Sequence, residues 1–306
     1  MRFWGALLCW AALLAADLGA QGGSVIVGAY YYPQSRQYLS PGQLVTLLVR
    51  GINAPNSWAT QIPLPLELSG VSAVMQEPLL GGYRKPMPLF RIQTIPCGMG
   101  TIYVCDYRAV TVQVPTDLRV VPGLGELPRP ATPTITLFEN GVAGSAEEFE
   151  LVKTTLNIVR DCMLMILAEH PSCAGWVTHA DGSLITAGNP ARSGENVALY
   201  ALGLGLTSPP VPEGQAAPFP APRTEADLLA TFSSGPLPAP VVPDSTWVRP
   251  DFSGLVSGFV GLYQVYLRLP DQLPPITTHP GEGPGRLTIT LATSSSSDAA
   301  QIFVAP

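Results

Sequence analysis

The feature that most constrains this chain is a sequence pattern that occurs twice, about 150 residues apart. Three short segments of the first half return in the same order in the second half: SPGQLVTL (40–47) as RSGENVAL (192–199), VQVP (112–115) as LRLP (267–270), and TITL (134–137) letter for letter (288–291). The offsets of 152, 155 and 154 residues are nearly constant. The pattern therefore predicts two copies of one β domain, and it predicts architecture without indicating an activity.

The composition favours a folded β protein over a disordered chain. The 306 residues include 30 glycines and 33 prolines, and only 12% are charged, about half the usual share. Disordered chains are poor in apolar residues, whereas this chain is 46% hydrophobic. Short apolar runs punctuated by glycine and proline are typical of a sandwich or barrel.

Local patterns place strands and turns along the chain. Residues 109–114 alternate strictly, with valines on one face and polar residues on the other, which predicts a half-buried strand. Pro115 ends it, since proline has no N–H for a ladder. Two dipeptides predict tight hairpin turns because their residues tolerate positive φ: Asn140-Gly141 and Asp181-Gly182.

These observations predict an all-β chain of two tandem β-sandwich domains. The predicted limits are residues 24–152 for the first repeat and 176–306 for the second. Residues 153–175 form a connector that contains two cysteines and an apolar run at 162–168. Its length and flanks leave open whether it is helical or extended.

The N-terminus is typical of a secretory signal peptide. Arg2 supplies a minimal positive charge, residues 6–16 form a short apolar stretch, and small residues follow at Gly19 and Ala20. We expect cleavage after Ala20, so that residues 1–20 are removed. The apolar stretch is short for a membrane span, and no later segment is longer. The prediction is a secreted, cell-surface or periplasmic protein without a transmembrane segment after cleavage.

Four cysteines are left after removal of the signal: Cys97, Cys105, Cys162 and Cys173. An even number in an exported chain predicts disulfides. Three pairings are possible, and closeness in sequence favours Cys97–Cys105 with Cys162–Cys173. Each short loop would constrain the unfolded chain by about 2.5–3 kcal/mol. The CxxC spacing typical of zinc and redox sites is absent.

Four segments of the second repeat carry a family resemblance: VTHADGSL (177–184), NPARSGE (189–195), YALGLG (200–205) and GFVGLYQV (258–265). They resemble the uncharacterised Solibacter-type C-terminal domain family of secreted acidobacterial proteins, over roughly residues 176–306. The first repeat resembles the upstream part of the same family more weakly. The resemblance implies exported sandwiches of the immunoglobulin-like or IPT/TIG type, hence two tandem immunoglobulin-like β-sandwich domains joined by a short disulfide-containing connector. It implies no catalytic residue, ligand or role.

Candidate catalytic and metal sites are weak. His179, Asp181 and Ser183 are the residue types of a hydrolytic triad, but alternate positions on one hairpin would not converge. We predict a turn-forming role for them and no catalytic residue. The three histidines lie on separate loops and no Asp-x-Asp-x-Asp run exists, so no metal and no cofactor are predicted. Gly203 and Gly205 lack the rest of a phosphate loop and are assigned to the end of a strand.

Aromatic residues supply the candidate binding surface. Tyr30, Tyr31 and Tyr32 could stack on sugars or anchor a protein partner. The alternative is that they point in turn to core and solvent on an N-terminal strand. Three tryptophans are far apart in sequence and are predicted as core or loop anchors rather than a sugar platform: Trp58, Trp176 and Trp247.

The charge distribution narrows the classes of partner. With a net charge of −6 and only two lysines, Lys85 and Lys153, the chain has no basic surface for nucleic acid or an anionic membrane. The leading hypothesis is a non-enzymatic protein for adhesion or assembly, with a cell-envelope protein or polysaccharide as candidate partners. The alternatives are a carbohydrate-binding module that uses the three tyrosines and an unrecognised extracellular hydrolase.

Overall fold

The alternating apolar runs of the sequence form strands. The computed structural model describes residues 23–29, 38–77, 82–95, 106–118, 132–160, 175–234, 247–275 and 284–305. These residues form strands, turns and loops, with no helix among them. The all-β prediction is therefore confirmed. The described ranges accordingly hold no apolar helix long enough to cross a membrane.

The strands before residue 152 are β1 Val25–Ala29, β2 Tyr38–Leu39, β3 Leu44–Arg50, β4 Ser57–Trp58, β5 Glu67–Leu68, β6 Val71–Glu77, β7 Tyr83–Met87, β8 Leu89–Thr94, β9 Tyr107–Gln113, β10 Thr134–Glu139, β11 Val142–Ala143, β12 Glu147–Glu148 and β13 Glu150–Leu151. The later strands are β14 Asn157–Ile158, β15 Val177–His179, β16 Asn196–Leu202, β17 Thr207–Ser208, β18 Arg223–Thr224, β19 Leu229–Ser233, β20 Phe252–Leu255, β21 Tyr263–Arg268, β22 Gly285–Ala292 and β23 Ser297–Val304.

The first unit, defined as the described residues from 23 to 151, has two main sheets. One has the order β1-β3-β9-β8-β4, and the other has the order β11-β10-β6-β5 with β12 on β10 and β7 on β6. A short parallel pair, β13-β2, lies beside them. A single hydrophobic cluster takes side chains from both sheets, among them Leu47 of β3, Val110 of β9 and Leu137 of β10. The sheets therefore face each other across one core, as in a β-sandwich.

The second unit, defined as the described residues from 153 to 305, repeats this plan. Its larger sheet has the order β14-β16-β21-β20-β18-β17 with β15 on β16, and its smaller sheet has the order β19-β22-β23. A separate hydrophobic cluster joins them, with Leu199 of β16, Val265 of β21 and Leu291 of β22 among its members. Each unit thus has its own core between two sheets.

The repeated sequence segments occupy equivalent positions in the two units. A glycine with positive φ, Gly42 (77°) or Gly194 (68°), closes a turn just before a central strand. The next residue, Gln43 or Glu195, donates its N–H to the carbonyl three residues back, at 3.2 Å in both turns. Its side-chain oxygen accepts the N–H of that same earlier residue, at 3.0 Å and 2.8 Å. The TITL segments lie in β10 and β22. The sequence repeat is therefore a repeat of hydrogen-bonded structure.

Two local predictions differ from the structure. Strand β9 is buried on both faces, including Thr111 and Gln113, because its polar face is turned towards the second unit. The prediction of a half-buried strand there was wrong. Residues 157–158, predicted as part of the connector, form β14 and pair with β16. That segment is therefore extended and forms an edge strand of the second unit.

The two units meet at a junction centred on Gln113. Its Oε1 accepts the N–H of Gly214 at 2.6 Å, and its Nε2 donates to the Gly42 carbonyl at 3.1 Å. The Leu64 N–H donates to the Gly214 carbonyl at 2.8 Å. Apolar side chains from both units pack beside these bonds: Leu44, Leu64 and Val260, with Ala59 and Leu202 against them.

Ion pairs extend the junction to its rim. The Glu213 carboxylate pairs with Lys85 and accepts a hydrogen bond from Thr116 Oγ1 at 2.8 Å, and Lys85 also lies 2.9 Å from Asp117. Burial alone would raise the pKa of Glu213, but the bonds from Lys85 and Thr116 outweigh it and lower that pKa. The pKa of Lys85 is raised because its carboxylate partners outweigh the desolvation that would lower it. Both groups are therefore charged at neutral pH.

Candidate functional site

Beside the junction, the two units enclose an open groove of about 730 Å³. This volume falls in the range of about 300–1,000 Å³ found for small-molecule sites. The outer face of the first unit's five-stranded sheet forms the floor, where Arg91 of β8 lies opposite Thr111 of β9 and Thr111 lies opposite Thr46 of β3. All three side chains line the groove. The strand register thus places Arg91, Thr111 and Thr46 side by side in one polar row across the floor.

Apolar side chains from both units form the walls. The second unit contributes Val159, Trp176 and Leu202, together with the turn at 258–260, and the first unit contributes the loop at 59–64. Four large apolar side chains of the lining are exposed to solvent: Ile62, Phe90, Trp176 and Phe259. Exposed apolar groups gathered in a concave surface indicate a binding site.

The turn at 258–261 presents Phe259 to the groove for a steric reason. Gly258 and Gly261 have φ of 82° and 64°, which other residues rarely adopt. A Cβ on Gly261 would lie 2.9 Å from Leu44 Cγ, so the turn can approach the first unit only with glycine there. Val260 is buried in the junction, and its neighbour Phe259 is left exposed.

The groove has one notable electrostatic feature. The Nε of Arg91 is buried and, within the described part of the chain, has no hydrogen-bond partner. The lining residues that the structure describes include no histidine, aspartate or glutamate. The floor therefore offers a positive charge and two hydroxyl groups, and apart from Thr60 and Gln61 the rest of the described lining is apolar.

A second polar cluster lies on the hairpin that begins at β15. His179 Nδ1 contacts the Glu195 carboxylate, and His179 Nε2 lies 3.2 Å from the Asn189 carbonyl oxygen. The Asp181 carboxylate instead accepts bonds from the backbone N–H and the hydroxyl of Ser183, at 2.9 Å and 2.7 Å. The hydroxyl bond lowers the pKa of Asp181. His179 and Asp181 therefore have different partners, as the turn-forming interpretation of this hairpin expects.

His179 should make stability depend on pH. Partial burial would lower the pKa of His179, but the bonds to Glu195 and Asn189 outweigh it and raise that pKa. A raised pKa stabilises the folded state below the unfolded value of about 6.5, and this contribution is lost as pH rises through the folded pKa. We expect a loss of about 1 kcal/mol or less for such a pair.

Urea denaturation at pH values from 5.5 to 9 (roughly the interval over which a histidine of raised pKa titrates) measures this contribution. The His179→Asn variant should have a flatter profile of unfolding free energy against pH. A His179→Asn profile parallel to that of the wild type would contradict the assignment.

Several sequence predictions concern residues outside the described ranges. These are the signal at 1–20, the tyrosines Tyr30, Tyr31 and Tyr32, the cysteines Cys97, Cys105, Cys162 and Cys173, and the histidines His170 and His279. The binding and disulfide hypotheses based on them stay predictions. Among the described residues, no group of three or more His, Cys, Asp or Glu side chains could hold a metal ion.

Predicted residues inside the described ranges gave mixed outcomes. Gly203 and Gly205 follow β16 with φ of 74° and 75°, so their assignment to a strand end is confirmed. Trp58 and Trp176 are 64% and 43% exposed, so of the two predicted alternatives, core or loop anchors, the core one does not hold for them and the loop one stays a prediction. The sequence did not indicate that Trp176 lines a groove, because the opposite wall of that groove belongs to the other unit.

Comparisons with known proteins are uninformative about function. No family model matches the chain, and no curated protein matches it. Among solved structures, the chain is similar to the adhesin InvE of Yersinia pseudotuberculosis, with 10% identity and a TM-score of 0.21. The similarity covers 94% of this chain and 61% of the adhesin, so the chain spans less than two thirds of that protein. A likeness this low carries no functional argument, and the resemblance to the Solibacter-type family stays a prediction.

Proposed function

We propose that the protein is a non-enzymatic, secreted or cell-surface protein of two tandem immunoglobulin-like β-sandwiches that serves adhesion or assembly. Its recognition surface is the groove between the two units. The carrying observation is that both units contribute to one apolar groove of about 730 Å³ with exposed aromatic walls. Aromatic residues in such positions dominate binding energy in many interfaces.

The design of the junction supports a binding role for the groove. The apolar contacts of Leu44, Leu64 and Val260 join the two units beside the groove. The hydrogen bonds of Gln113 to Gly42 and Gly214 hold the two units in their relative position. A preformed concave surface of this kind avoids part of the ordering cost of binding.

Arrays of glycans, peptides and lipids, probed with labelled protein, test this proposal. The Phe259→Ser variant should weaken binding to the responding class by roughly fivefold or more, because it removes an aromatic contact of about 1 kcal/mol or more. Phe219→Ser is the matched control, since Phe219 is 91% exposed and lies outside the groove lining. Binding unchanged by Phe259→Ser would contradict the proposal, as would silence on all arrays together with a robust hydrolase signal.

A further inference from the structure

Arg91 is an unusual cation for its surroundings. It comes from β8, and register places it on the floor of the groove opposite Thr111. Its Nε is buried without a hydrogen-bond partner among the described residues, and no ion pair to its guanidinium is formed there. A buried polar group without a partner is costly. The unpartnered Nε of Arg91 lies where the groove is open to a ligand.

Most other arginines of the described chain have partners for their guanidinium groups. Arg50 and Arg223 lie over the rings of Tyr107 and Phe252, and Arg249 pairs with Asp227. Arg84 and Arg192 form no guanidinium contact with the other described residues, but both are exposed to water. Arg91 differs because it is partly buried and unpaired at once, which points to an anion from outside the chain.

We propose, building on the function proposed above, that the groove binds a long-chain carboxylate. The Arg91 guanidinium takes the carboxylate, a match of planar geometry that favours paired hydrogen bonds. The hydrocarbon chain lies along the apolar walls formed by residues such as Leu202, Trp176 and Phe259. The ligand therefore combines one negative charge with an apolar body.

The hydroxyl groups of the floor complete the headgroup site. Thr46 Oγ1 and Thr111 Oγ1 lie 2.9 Å apart and share one hydrogen bond. This bond uses the proton of only one hydroxyl, so the other hydroxyl has a proton to donate. A carboxylate at Arg91 can accept it. The polar row of the floor then supplies a charge and a neutral donor to one anionic group.

The lining favours an acyl chain over a peptide. A peptide in the groove would need partners for its own N–H and C=O groups. Two backbone N–H groups at the rim are already paired, that of Ala59 with the Phe90 carbonyl at 2.9 Å and that of Leu64 with the Gly214 carbonyl at 2.8 Å. A hydrocarbon chain has no such groups to satisfy, and it gains from burial of its apolar surface.

Calorimetric titration with decanoate, below the concentration at which it forms micelles, tests the proposal. The Arg91→Gln variant should bind decanoate at least about tenfold more weakly than wild type, as loss of a charge-assisted contact predicts. Arg91→Lys, which keeps the charge, should recover part of the affinity. Arg84→Gln is the matched control and should bind as wild type does. The neutral probe 1-decanol should bind wild type and Arg91→Gln alike.

The outcomes separate this proposal from the proposed function. If Arg91→Gln binds decanoate as wild type does while Phe259→Ser weakens it, the groove is a binding site but the carboxylate assignment is overturned. If neither variant affects binding, both proposals fail. Absence of saturable decanoate binding overturns the carboxylate proposal, as does binding of a peptide that decanoate cannot displace. A concentration-dependent dimer abolished by Phe259→Ser would assign the groove to a second copy instead.

Discussion

Replacement of Gln113 by alanine should lower the free energy of unfolding by about 2–6 kcal/mol. The substitution leaves two buried backbone groups without partners, the Gly42 carbonyl and the Gly214 N–H. Each unsatisfied buried group costs about 1–3 kcal/mol. Because these groups belong to different units, the loss falls on the junction. Urea denaturation followed by tryptophan fluorescence measures it.

Gln215→Ala supplies the matched control for this result. Gln215 lies one residue after Gly214 in the same turn, but it is exposed. Its replacement should change the free energy of unfolding by no more than about 0.5 kcal/mol. A Gln113→Ala variant as stable as the Gln215→Ala variant would show that the junction does not depend on Gln113.

Replacement of Leu137 by alanine should cost about 2–5 kcal/mol, the range for removal of a buried leucine side chain. Leu137 lies in the core of the first unit, and its counterpart in the sequence repeat, Leu291, lies in the core of the second. Leu291→Ala should therefore have a similar cost. Circular dichroism during chemical denaturation measures both, with exposed Val142→Ala as a control.

The Leu137→Ala and Leu291→Ala double variant tests whether the cores are separate. The losses of unfolding free energy caused by substitutions in clusters without shared partners are additive to within about 0.3–0.5 kcal/mol. We therefore expect the two losses to add. A coupling energy above about 1 kcal/mol would contradict two separate cores.

The strands and turns could be predicted from the sequence because their causes are local. Valines at alternate positions place β9, and the paired Ser40-Pro41-Gly42 and Arg192-Ser193-Gly194 segments place the turns before β3 and β16. In both turns the glycine adopts positive φ, a requirement that depends on a few neighbouring residues. Short-range chemistry was sufficient for these elements.

The groove could not be predicted because its parts are distant in sequence. Arg91 is an ordinary strand residue until β9 and the second unit surround it. Phe259 belongs to a turn whose role depends on contact between Gly261 and Leu44. His179 gives a smaller example, since strand pairing opposite Val197 brings it to Glu195 rather than to Asp181. In each case the deciding neighbour is supplied by tertiary packing.

The groove also explains why the sequence shows no familiar site motif. Its binding groups are scattered singly over β3, β8, β9 and the turn at 258–261, so no contiguous segment carries a signature. An apolar site with one charge needs few polar residues. The low share of charged residues in this chain is compatible with such a site.

Backbone amide chemical shifts of the wild-type protein, recorded with and without decanoate, test the central claim most directly. A ligand held between the units should shift amides of both walls together, at residues 59–64 of the first unit and 258–262 of the second, and leave the hairpin at 179–185 unchanged. Shifts confined to one unit, or centred on that hairpin, would contradict a binding groove built by both units.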